Sequence, residues 1–150
     1  MRKPDFVVIG QGTEAVPYLQ RWWVIPRNRW FNIYLHKFQH SDDDRAEHDH
    51  PWASLSFCLK GKMIEHSWGK TRHIRRFVPY FRSPRFAHRL ELIEGPVWTL
   101  FFTGPKVREW GFYTQPGNWW VHWATFEALY QKNPDKFNHE LYNAVKRTKH

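Results

Sequence analysis

Two histidines, His48 and His50, bracket Asp49 directly ahead of Pro51 and a strand-like run. In extended backbone, residues two apart project to the same side, so the two imidazoles converge on one point while Asp49 turns away. A third histidine, His88, sits in the run Ala87 to Ile93, where Leu90 and Leu92 share its parity. A histidine in step with leucines faces inward with them. Three neutral imidazoles suit Fe(II), Ni(II), Cu(II) or Zn(II) better than Mg or Ca, which take oxygen ligands. They also leave positions open for water, substrate or dioxygen. The chain has ten histidines, so a His-x-His pair alone is weak, and the order of the surrounding elements must carry the reading.

Other residues could complete a site. Ser54, Ser56 and Cys58 share the parity of His48 and His50, and an unbroken strand would turn them into the same cavity. A slip at Pro51 would flip the whole set. Cys58 reads first as core packing, as a lone thiol usually does. Trp52, Trp98 and Trp110 could floor a pocket by stacking on a flat substrate. With ten Trp, twelve Phe and six Tyr, however, most rings must simply fill the interior. The basic segment from Lys70 to Arg89 supplies Arg82, Arg85 and Arg89 as groups to orient an anionic substrate at the cavity mouth. His36, Glu65 and Glu91 are the acid or base candidates. Asp42-Asp43-Asp44 offers carboxylates beside the motif but reads more naturally as a polar turn.

To place these groups the chain needs strands. Short aromatic and β-branched runs punctuated by Gly and Pro predict an all-β barrel core over about 30–123. Its strands are expected at Arg29 to Gln39, Ala53 to Leu59, Lys62 to Trp68, Ile74 to Pro79, Ala87 to Ile93, Val97 to Thr103, Trp110 to Thr114 and Trp119 to Trp123. Turns fall at Lys60-Gly61, Gly69-Lys70, Gly95-Pro96, Gly104-Pro105 and Pro116-Gly117. Thr125 to Gln131 and a second run through Phe137, Leu141 and Val145 predict C-terminal helices over about 125–148. No linker or repeat divides the 150 residues, so the expectation is one domain, 1–150.

A net charge of +9 and a single cysteine exclude an intrachain disulfide framework and make anionic partners attractive. The apolar run Phe6 to Ile9 is far too short for a membrane span or secretory core, so a cytoplasmic protein without membrane contact is expected. Small molecules are the favoured partners. The interleaving of Phe77, Tyr80, Phe81 and Phe86 with arginines would also serve single-stranded nucleic acid, the less favoured reading.

The order His-x-His, Pro, strand, Gly turn, two strands and a third His resembles the cupin superfamily. His48, His50 and Gly61 match its first motif, and Pro84 and His88 its second. Where many cupins carry a fourth, Glu ligand, this chain has Ser54 or Leu55. The resemblance therefore implies a three-histidine site, similar to that of thiol dioxygenases of the cysteine dioxygenase type. Leu55 stands where those enzymes carry a cross-linking cysteine, so thiol oxidation is not carried over. Tyr18-Leu19, Arg21-Trp22-Trp23, Tyr34-Leu35-His36, His48-Asp49-His50-Pro51-Trp52, His88-Arg89 and Trp110-Gly111-Phe112 are similar to a family of small cupin-like proteins of bacteria and phages.

The resemblance implies an all-β, double-stranded β-helix (jelly-roll barrel) with a C-terminal helical segment. It also implies one divalent transition metal ion, Fe(II) favoured over Zn, Ni or Cu, at His48, His50 and His88. The expected function is a metal-dependent enzyme acting on a small anionic substrate, with a dioxygenase favoured. Trp52, Ser54, Cys58, Trp98, Arg82 and Arg89 are expected around the substrate. The alternatives are a non-catalytic ligand-binding cupin and a metal-independent epimerase or isomerase. A homodimer formed through sheet edges is expected.

Overall fold

A computed structural model describes residues 1–8, 17–42, 46–114 and 119–132. The strands are β1 (Phe6–Val8), β2 (Leu19–Trp23), β3 (Asn32–Phe38), β4 (Glu47–His48), β5 (Ser54–Ser67), β6 (Lys70–Ile74), β7 (Pro79–Arg82), β8 (Arg89–Thr103), β9 (Gly111–Thr114) and β10 (Trp119–His122). Helix α1 (Trp123–Lys132) follows. One antiparallel sheet runs in the order β1-β2-β3-β8-β5-β6, with β7 also paired to β5. The second runs β10-β9-β4.

Strict alternation explains the larger sheet. In β3 the odd-one-out positions Asn32, Tyr34, His36 and Phe38 are buried and their neighbours are not, as a strand with one inward face demands. Across the ladder, His36 stands opposite Arg21 on β2 and Thr99 on β8. Thr99 in turn stands opposite Cys58 on β5. These rows share the inner face. It is apolar at one end, where Leu19, Phe38, Cys58, Met63, Ile74, Tyr80, Leu90 and Val97 cluster. Elsewhere it carries the buried polar residues Ser54, Ser56, Glu65, Arg82, His88 and Thr103.

The expected turns at Lys60-Gly61 and Gly95-Pro96 are bends within two long strands, β5 and β8, whose register shifts between Cys58 and Met63. Gly61 has φ +86°, and a Cβ there would lie 2.7 Å from the Glu94 carbonyl oxygen and 2.9 Å from that of Pro96. The two turn signals therefore face each other across one bulge, and bulges bend strands without ending them. The expected strand Ile74 to Pro79 is also corrected. Phe77 adopts φ +61° and interrupts the run, so β6 ends at Ile74 and β7 begins at Pro79. The barrel core starts earlier than expected, because β1 and β2 extend the sheet ahead of residue 30. α1 packs on the smaller sheet, with Phe126 stacked on Phe112 at 3.9 Å. The second expected helix, through Phe137, Leu141 and Val145, lies outside the described residues.

Candidate metal centre

β4 contributes His48, and its backbone is paired to that of His88 across the gap between the sheets. The His48 N–H donates to the His88 carbonyl at 2.8 Å and the reverse bond is 2.9 Å. His50 lies two residues on, its N–H bonded to the Pro84 carbonyl at 3.0 Å. These backbone bonds aim the three imidazoles at one point, and one nitrogen of each falls within 4.8 Å of the others. The His50 and His88 Nε2 atoms are 2.8 Å apart. Two nitrogens each about 2.0–2.1 Å from a shared ion would lie roughly 3 Å apart at a right-angled corner. The spacing fits a shared ion, and without one it is that of an N–H···N hydrogen bond between the two rings.

The protonation states fit as well. His88 Nδ1 lies 2.6 Å from Glu65 Oε1, and Arg82 Nε donates to the same oxygen at 2.5 Å. Arg72 pairs with Glu65 Oε2. Burial alone would raise the Glu65 pKa, but the hydrogen bonds from His88 and Arg82 and the Arg82 charge outweigh it and bring it to about 2. An ionised Glu65 must accept the proton on His88 Nδ1, which leaves Nε2 as a bare lone pair. Burial, only partly offset by Glu65, lowers His88 to about 4. Burial, then the neighbouring His88 and His48, pushes His50 well below the ordinary histidine range. Neutral rings backed by a carboxylate are what a metal-binding histidine set requires.

Asp49 turns away from the two histidines, as its parity requires. Fully buried, it accepts from the Gly111 N–H at 2.8 Å and from Trp120 Nε1 at 3.0 Å, and it pairs with Arg108. The residue between His48 and His50 thereby locks β9 and β10 to the segment that carries them. Asp42 accepts from the Leu90 N–H at 2.7 Å, and its Oδ2 lies 3.9 Å from His48 Nδ1. Trp110, Phe112 and Phe86 ring the histidines, at 6.3 and 6.0 Å from His48 and 5.8 Å from His88. A cleft of about 390 Å³, edged by Trp68, Lys70, Arg72 and Phe86, reaches Glu65.

Of the expected pocket residues, Ser54 and Cys58 face inward, and Arg82 is buried in the same interior. Cys58 belongs to the apolar end, where burial pushes its thiol upward. Arg82 is committed to Glu65 and to Ser56 Oγ, at 2.7 Å. Trp52 keeps its indole N–H buried with no partner among the described residues. Two expectations are corrected. Trp98 is on the opposite face from Val97 and Thr99, stacked on Trp22 at 5.4 Å. Arg89 sits opposite His66 and out of step with inward-facing His88 and Leu90. Neither lines the interior. Glu91 also leaves the site, bonded to His66 at 2.7 Å.

No protein-family model and no curated protein matches the chain. Solved structures do. KdgF from Halomonas sp. superposes with a TM-score of 0.51 at 14% identity, covering 63% of this chain and 87% of that one. The DMSP lyase DddQ from Ruegeria pomeroyi gives 0.53 at 14% identity, covering 65% of this chain and 52% of that one. The chain has the cupin fold. At these identities the likeness is one of fold, and the chemistry of this chain rests on its own residues. Sequence reasoning named Glu65 only as an acid or base. Its parity with buried Met63 in β5 is the signal that would have turned it inward, but nothing in the sequence sets it against His88. Arg21 and the anchoring partners of Asp49 carried no signal beyond their type.

Proposed function

We propose that this cupin is a mononuclear metal-dependent enzyme acting on a small anionic substrate. His48, His50 and His88 hold one divalent transition ion, Fe(II) favoured, and oxygenation by dioxygen is the leading reaction. The observation that carries the reading is the convergence of the His50 and His88 Nε2 atoms at 2.8 Å, with His88 fixed from behind by ionised Glu65. When bound, such an ion supplies Lewis acidity and open positions for dioxygen or a substrate oxygen.

The chain's own groups prepare the place. Glu65 holds the proton at His88 Nδ1 and so fixes that ring's tautomer. Arg82 and Arg72 keep Glu65 ionised. Phe86, Trp110 and Phe112 limit water around the rings. In protein loaded anaerobically with Fe(II), small carboxylic acids should drive oxygen uptake that a chelator abolishes. Uptake that survives chelation, or Fe(II)-loaded protein that consumes no oxygen with any of them, contradicts the oxygenase reading.

A further inference from the structure

Arg21 is out of keeping with the rest of the interior. It projects from the inner face of β2, directly opposite His36, and its guanidinium lies 4.6 Å from the centre of the Tyr34 ring. Nε donates to His36 Nε2 at 2.8 Å. Among the described residues no carboxylate pairs with it, whereas Arg82 and Arg72 are both matched by Glu65. Burial lowers the Arg21 pKa from its ordinary value.

A second observation points the same way. Because His36 Nε2 accepts from Arg21, the ring proton of neutral His36 sits on Nδ1. That atom is buried and without a partner among the described residues, as is Ser54 Oγ on the same inner face. A half-buried cation beside a buried ring N–H that has no acceptor costs stability unless a ligand completes it. Through His36, Arg21 stands on the inner face that also carries Glu65 and His88.

We propose that Arg21 is the anchor for a carboxylate of the substrate, holding one end of a small bifunctional acid whose other end reaches the histidine cluster. The second half rests on the metal-site reading above. The guanidinium fork matches a carboxylate in two parallel hydrogen bonds. A carboxylate's single charge also balances Arg21 alone, whereas a phosphate dianion would call for a second unmatched cation.

The test uses malonate, succinate and glutarate, with acetate, propionate, butyrate and inorganic phosphate as comparisons, on wild type, Arg21→Met and Arg21→Lys. Binding is read from the visible spectrum of Co(II)-loaded protein and from the thermal midpoint of metal-free protein. At least one diacid should bind wild type about tenfold or more tightly than its monoacid counterpart. Arg21→Met should lose that advantage while keeping its Co(II) stoichiometry and a ligand-free midpoint no lower than wild type. Arg21→Lys should keep part of it. Undiminished diacid binding by Arg21→Met, a preference for phosphate, or a lowered ligand-free midpoint with loss of Co(II) would overturn the proposal, the last by making Arg21 a structural strut. Should wild type take no Co(II), the metal reading fails. The anchor is then judged by whether the diacids raise the metal-free midpoint in wild type and not in Arg21→Met, and equal shifts or none overturn it.

Discussion

His88 joins the candidate metal centre to the barrel's buried charges, because its two nitrogens face different partners: Nε2 the His50 ring and Nδ1 the Glu65 carboxylate. Glu65→Gln keeps the shape but loses the charge. It should weaken metal binding roughly 10–100-fold, the usual effect of removing such a supporting carboxylate. It should also destabilise the fold by about 3 kcal/mol, because it strands the buried Arg82 guanidinium. The two effects separate in Glu65→Gln combined with Arg82→Met, where thermal stability should recover and metal affinity, measured by titration, should not. Asp49→Ala should cost about 2 kcal/mol in denaturant unfolding, because it leaves the Gly111 N–H and the Trp120 indole without their acceptor. A neutral result would mean that Asp49 does not hold β9 to the ligand loop.

At the scale of elements, the bend shared by β5 and β8 and the closure of β9 against β10 decide whether the histidines meet. Gly111 admits no side chain, since a Cβ would fall 2.1 Å from the Val121 carbonyl oxygen. Gly61 combines positive φ with carbonyls under 3 Å away, while Gly69 has positive φ, +75°, but open space. Alanine should therefore cost about 1 kcal/mol at Gly69 and clearly more at Gly61 and Gly111, in thermal or denaturant melts. Equal costs would remove the packing argument. The same residues show what the sequence could and could not disclose. Periodicity of two put His48, His50 and His88 on inner faces, because parity is a local property. Whether Gly61 and Gly95-Pro96 end strands or bend them depends on their meeting across the sheet, which no local window contains. β2 escaped notice because Arg21 stands at an inward position and spoils the apolar alternation. Trp98 and Arg89 fell on the outer face because a strand gives every second residue to each side, and their types do not disclose which.

Over the whole molecule, the barrel buries ionisable groups in the form that folding requires. His36, His50 and His88 are all held neutral by burial, with His88 lowered to about 4. An unfolded chain takes up protons on these rings near the ordinary value of about 6.5, and the folded chain does not. Their contribution is complete above that value and is lost as pH falls from about 6.5 toward 4. Glu65, at about 2 when folded, withdraws its share at lower pH still. Metal-free protein should accordingly show a thermal midpoint that declines steadily from pH 7 to pH 4, and a flat profile would show that the rings are hydrated. The central claim, one metal ion held by three histidines, is tested most directly by the metal content of untagged protein. It is measured as purified and after anaerobic Fe(II) loading, for wild type and for His48→Ala, His50→Ala and His88→Ala variants shown by circular dichroism to be folded. Wild type should hold about one equivalent of metal, and each variant should lose it. Wild type that binds none after loading, or a folded variant that keeps the full equivalent, would contradict it.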